Sequence, residues 1–117
     1  MGESAVWNIT RDRCLARRAV EATGFWDRGK GLLGTAALAE GAGLWIEPCN
    51  SVHTWFMRYP IDVVFTAADG RVVAVRERLA PWRLTWPAWG ARAALELPAG
   101  AAADTRPGDE LRRSACA

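Results

Sequence analysis

The chain has 117 residues, half of them hydrophobic and about a quarter charged, with a formal net charge of +2. That length holds one domain around one core, and an apolar content that includes seven Trp excludes a solvated, disordered coil. So small a charge excess ranks general nucleic-acid binding low.

In chain order, a short strand is expected over Ala5–Ile9. From Asp12 the apolar residues Leu15, Ala16, Ala19 and Val20 recur at i, i+1, i+4, i+5, which predicts a helix ending near Thr23-Gly24. A second short helix is predicted over Trp26–Leu33, stopped by Gly34, and residues 40–43 form a loop. The period then changes to two. Leu44–Glu47 reads as a strand closed by Pro48. Ser51–Arg58 reads as an extended segment with His53, Trp55 and Met57 on one face, broken by Tyr59-Pro60. Ile61–Thr66 is the strongest strand, Asp69-Gly70 a two-residue hairpin turn, and Arg71–Arg78 the returning strand. A loop rich in Pro and Trp spans Ala80–Gly90. Ala91–Leu97 is a further strand, Pro98–Thr105 a loop or single helical turn, and Gly108–Arg113 the last strand.

Closely spaced strands separated by turns indicate a sandwich or small barrel. With helices near the N-terminus, the expected class is α+β, mostly β: a small antiparallel, curled or barrel-like sheet covered by one or two short helices. Cys14, Cys49 and Cys116 are odd in number and far apart, which fits reduced thiols in the cytosol better than a disulfide framework. Residues 1–14 lack the apolar h-region of a signal peptide, and no stretch approaches the roughly 18 apolar residues of a membrane span. A cytoplasmic monomer with no membrane contact and no cofactor is expected.

Three patches carry a resemblance. They are R-G-K-G-L-L-G at Arg28–Gly34, P-C-N-S-V-H-T-W-F-M-R-Y-P-I-D-V-V-F at Pro48–Phe65, and L-E-L-P-A-G at Leu95–Gly100 with Pro107-Gly108-Asp109 following. In this order and spacing the chain, over roughly residues 8 to 112, resembles the domain-of-unknown-function family 192. The resemblance implies a compact, largely β domain with no agreed activity, so no catalytic residue transfers. The family's recurring positions correspond to Gly31, Leu32, His53, Met57, Asp62, Phe65, Glu96, Gly100, Gly108 and Asp109. Thr35 and Thr66 stand where the family often carries a basic and an acidic residue.

Among residues that could carry chemistry, Asp62 is the most informative. A carboxylate between Ile61 and Val63 must either face water or be buried with partners. It could therefore satisfy a bend or line a pocket, with Arg58 and His53 as neighbours. His53 is the only histidine, which excludes a multi-His metal site. Cys49, four residues earlier, would lie about 13 Å away in a straight strand at ~3.3 Å per residue, so a thiolate–imidazole pair needs a turn at Asn50-Ser51. Glu96 alternates with Leu95 and Leu97 and could converge with Asp62 as an acid–base pair, or both could be ordinary sheet carboxylates. Trp82, Arg83, Trp86 and Trp89 put aromatic rings and a guanidinium on one loop, which either caps the barrel or presents a binding surface.

Two functions lead, ahead of a third, an accessory interaction protein with no ligand. The leading one is a non-catalytic module binding an unknown small molecule or protein partner through a groove lined by Trp55, Arg58, Asp62, Trp82 and Trp86, with His53, Arg83 and Glu96 close by. The rival is a small hydrolase-type enzyme using Asp62 with Glu96, or Cys49 with His53.

Overall fold

The computed structural model describes residues 3–22, 39–54 and 59–115. Seven strands form one sheet: β1 (Glu3–Asn8), β2 (Arg13–Ala22), β3 (Ala42–Ile46), β4 (Ile61–Thr66), β5 (Val72–Leu79), β6 (Ala93–Pro98) and β7 (Leu111–Ala115). Their order is β5-β4-β6-β3-β2-β1-β7. All neighbours are antiparallel except β2 and β3. The described residues contain no helix, so the expected α+β class is corrected to all-β.

The helix expected from Asp12 to Gly24 is the long strand β2, and its irregularity explains the misreading. Ser4 faces Ala19 and Val6 faces Ala16, so two steps along β1 match three along β2; a second shift follows before Trp7, opposite Cys14. Each shift is a bulge that adds a residue to β2. Leu15, Ala16 and Ala19 are all buried, and the extra residues turn a period of two into a spacing that imitates a helix. The helix expected over Trp26–Leu33 lies outside the described residues. The stretch from Pro98 to Thr105, expected as a loop or a single helical turn, is a loop of successive reverse turns.

The remaining strand expectations hold within a few residues. The hairpin forms where Asp69-Gly70 places it, but over a three-residue loop instead of the expected two: Ala67 N–H donates to the Arg71 carbonyl at 2.8 Å and Gly70 N–H to the Ala67 carbonyl at 3.0 Å. Gly70 has φ +92, a left-handed conformation that costs glycine little.

The sheet curls until its two edges meet. Val72 N–H donates to the Asp109 carbonyl at 2.7 Å, Gly108 N–H to the Val72 carbonyl at 2.8 Å, and Leu111 N–H to the Gly70 carbonyl at 2.8 Å. Bonding the edges to each other removes exposed strand groups that would otherwise invite aggregation. A Cβ on Gly70 would lie 2.5 Å from the Leu111 carbonyl oxygen. Gly70→Ala therefore combines positive-φ strain with a backbone clash at the closure, and a loss of about 2–3 kcal/mol is expected. Urea denaturation checks it; a loss below about 0.5 kcal/mol would show that the closure yields freely.

Inside the curl, Val6, Leu15, Trp45, Val64, Leu95, Leu97 and Leu111 form one apolar cluster. Outside it, Leu44, Ile46, Ile61, Val63 and Phe65 form a second cluster with Val52 and Ala88. β4 and most of β6 are therefore buried on both faces, which is why Ile61–Thr66 reads as an almost unbroken apolar run.

Candidate functional site

The second cluster is covered by two paired segments, residues 50–54 and 80–88. Ala88 N–H donates to the Asn50 carbonyl at 2.7 Å, Thr85 N–H to the Val52 carbonyl at 2.9 Å, Thr54 N–H to the Arg83 carbonyl at 2.8 Å, and Trp82 N–H to the Thr54 carbonyl at 2.9 Å. Two buried threonine hydroxyls complete the seam. Thr85 Oγ1 accepts from Val52 N–H at 2.9 Å. Thr54 Oγ1 accepts from Arg83 N–H at 2.8 Å and donates to the Ala80 carbonyl at 2.6 Å. Val52 and Ala88 point down into the apolar cluster, so this strap is anchored by both hydrogen bonds and packing.

Its outer surface is a ridge of large apolar side chains. Trp82, Leu84, Trp86 and Trp89 are 58%, 65%, 84% and 85% exposed, and Arg83 among them is exposed as well. Of the two readings of this loop, its tryptophans leave most of their surface in water instead of sealing the barrel. His53 is half-buried and forms a bridge opposite Leu84. Trp55 and Arg58 lie outside the described residues.

Asp62 sits apart from that ridge. It is fully buried and lies opposite Leu97 in the β4–β6 register, so it faces the interior cluster. One carboxylate oxygen accepts from Arg78 N–H at 2.8 Å; the other accepts from Gly100 N–H at 3.0 Å and Ala102 N–H at 2.9 Å. Arg78 has φ +50 at a bulge where Ile61–Val63 spans Leu79–Arg76. The carboxylate thus supplies the acceptor that the interrupted ladder lacks, and it ties the bulge to the turn after β6.

Glu96 is also buried, but it lies opposite Val63 and Leu44. Neighbouring positions on a strand alternate faces, so Glu96 projects toward the strap while Asp62 projects inward. The two do not converge as an acid–base pair. Cys49 is half-buried, and its thiol donates to the Ser51 carbonyl at 3.0 Å. Among the described residues, no group of three or more His, Cys, Asp or Glu side chains could hold a metal ion, and no helix is long and apolar enough to cross a membrane.

A second polar knot was not found from the sequence. Asp109 Oδ2 accepts from Arg11 Nε at 2.7 Å, Asn8 Nδ2 at 3.0 Å and Arg106 N–H at 3.0 Å. Asn8, fully buried, also donates to Thr105 Oγ1 at 3.1 Å. Burial alone would raise the Asp109 pKa. Hydrogen bonds from Arg11, Asn8 and the Arg106 amide, with the charge of Arg11, more than reverse this and hold the carboxyl below its ordinary value. Arg11 is raised in turn, chiefly by its hydrogen bond to Asp109. The only sequence signal was the Pro107-Gly108-Asp109 turn, which gave no hint of Asn8 or Arg11.

Together these features define a class: a small all-β domain whose curled sheet is closed edge to edge, locked by two buried carboxylates and overlaid by an aromatic strap. The chain belongs to the DUF192 family, described as "Uncharacterized ACR", which matches residues 8–113. It is 33% identical over 98 residues to a UPF0127 protein of Thermococcus sibiricus, a match covering 80% of this chain; the chain spans 62% of that relative's length. Its fold is shared with a Novosphingobium aromaticivorans protein of unknown function (TM-score 0.78, 22% identity, 94% of this chain and 83% of the other). It is also shared with a Sinorhizobium meliloti protein provisionally described as a transcription regulator (TM-score 0.76, 20% identity, 95% and 92%). At these identities the likeness concerns the fold alone.

Proposed function

We propose that this domain is a non-catalytic binding module and that the strap between Ala80 and Gly90 is its docking element for a protein partner. The observation that carries the reading is the exposure of Trp82, Leu84, Trp86 and Trp89 on a backbone that Thr54 and Thr85 hold fixed. Exposed rings of this size on a loop cost solubility unless a partner covers them. Trp and Arg are the residues most enriched where binding energy concentrates, and a backbone already hydrogen-bonded in place in the free protein loses little freedom on docking. From Leu79 to Leu95 the chain carries Arg83 and Arg92 and no acid. This favours an apolar partner surface bordered by carboxylates. It also disfavours a second copy presenting the same basic ridge to itself.

Selection from a displayed library of acidic, apolar peptides tests the reading. Binders are expected, and the triple variant W82A/W86A/W89A should weaken them by a factor of about 100 or more while changing unfolding stability by less than about 1 kcal/mol. Peptides that bind parent and triple variant equally, or a library that yields no saturable binder, would remove the strap as the docking element.

A further inference from the structure

The end of the barrel away from Asp62 is built differently. A cavity of about 350 Å³ opens there, lined by Trp45, Glu47, Thr66, Arg92, Arg112 and Arg113 among others. Its size falls within the roughly 300–1,000 Å³ of small-molecule sites, and barrel mouths are common places for them. Inside it, several donors converge on one carboxylate. The Trp45 indole N–H donates to Glu47 Oε1 at 3.0 Å. Arg92 Nε stands 3.5 Å from Glu47 Oε2, and an Arg113 terminal nitrogen stands 3.9 Å from Oε1. The Arg113 guanidinium is also stacked 4.4 Å from the centre of the Trp45 ring and paired with Glu21.

The distances differ in a telling way. The indole contact has ordinary hydrogen-bond length, whereas the two arginine contacts lie at or beyond the outer limit. Guanidinium groups favour paired, planar contacts with a carboxylate, and neither arginine makes one with Glu47. Glu47 directly follows β3 at Ile46, so its tether limits how its carboxylate can meet both arginines. A free carboxylate has no such limit. Arg92 and Glu47 are both more than a third exposed, and pairs of that exposure are weakly held. We infer that the barrel mouth is a binding site for the carboxylate of a small organic acid, seated on the Trp45 indole N–H, Arg92 and Arg113, and that Glu47 is a tethered occupant which the ligand displaces.

Sodium acetate is the probe, with sodium chloride at equal ionic strength as its control. Amide and indole N–H spectra of the full chain identify the Trp45 indole signal by its loss in Trp45→Phe. In Glu47→Ala, which vacates the seat, acetate is expected to move that signal saturably. It should also raise Tm by roughly 5 °C at ten times its Kd, a rise that chloride does not give. The parent, whose own carboxylate competes, should bind acetate at least about tenfold more weakly, and E47A/R113Q should lose the response. Should Glu47→Ala fail to fold, Glu47→Ser, whose short side chain cannot reach the indole N–H, gives the same indole readout. N-acetyl-dialanine, with a free C-terminal carboxylate, distinguishes a chain terminus from a free acid as the better ligand. An acetate response matched by chloride, or one that survives in E47A/R113Q, overturns the site.

Discussion

Replacing Asp62 by Ala is expected to lower the unfolding free energy by about 3–5 kcal/mol, a large share of the ~5–15 kcal/mol available to a domain of this kind. Three backbone N–H groups, from Arg78, Gly100 and Ala102, would lose their acceptor together. A hydrogen bond to an ionised acceptor contributes roughly 1.5–3 kcal/mol, and a buried donor left without one bears its desolvation cost in full. The three terms do not add fully, because Gly100 and Ala102 share one oxygen. Asp62→Asn is the sharper test. Its single amide oxygen can serve the pair from Gly100 and Ala102, but its NH₂ then faces the Arg78 N–H, donor against donor, and a loss of about 2–3 kcal/mol follows. Denaturant unfolding of both variants decides the matter. An Asp62→Asn protein within about 0.5 kcal/mol of the parent would mean that the carboxylate is not needed as a structural acceptor.

How far this was readable from the chain depends on sequence separation. The residue type and position of Asp62 alone say that a carboxylate in an apolar strand needs partners. They cannot name Gly100 and Ala102, which lie 38 and 40 residues downstream. The β4–β5 hairpin was legible because its determinant, Asp69-Gly70, is local. The β2 strand was not, because its bulges are set by register against β1 and leave only a misleading spacing in the sequence. The edge-to-edge closure joins residues 70–72 to residues 108–111 and has no local signature beyond the two glycines that permit it.

The candidate surfaces divide in the same way. Three Trp on one short loop cannot all be buried by that loop, so partial exposure was legible from the sequence, but whether they cap the barrel or stand in water was settled only by their exposure in the fold. The face that each sheet carboxylate occupies required the register. Asp62 pairs with Leu97 and Glu96 with Val63, and a shift of one residue would have exchanged their environments. The barrel mouth gathers Trp45, Arg92 and Arg113 from different parts of the chain; none of them stands out locally, since a Trp or an Arg in or beside a strand is ordinary.

Asp109 gives the second large effect, and it has a pH signature. Asp109→Ala removes the acceptor for Arg11, Asn8 and the Arg106 amide at a site where Asn8 is fully buried, so a loss of about 3–4 kcal/mol is expected near neutral pH. The direction with pH follows from linkage. The folded-state pKa of Asp109 is depressed relative to about 3.9 in an unfolded chain. Its ionised form therefore contributes stability in full above that value, and the contribution is lost as pH falls through the folded-state pKa. The stability difference between parent and Asp109→Asn should stay nearly constant from about pH 8 to pH 5 and shrink from about pH 4 downward. Arg11→Gln should shrink that loss and make it end at higher pH, because Arg11 supplies the leading hydrogen bond against the desolvation of a buried carboxyl and its removal raises the folded-state pKa toward the unfolded value. Carboxyl ¹³C titration of Asp109 in parent and Arg11→Gln, combined with urea unfolding at each pH, measures both effects. A parent–Asn difference that does not change between about pH 5 and pH 2.5 would show that Asp109 ionises alike in the folded and unfolded chains, and the knot would then owe nothing to its charge.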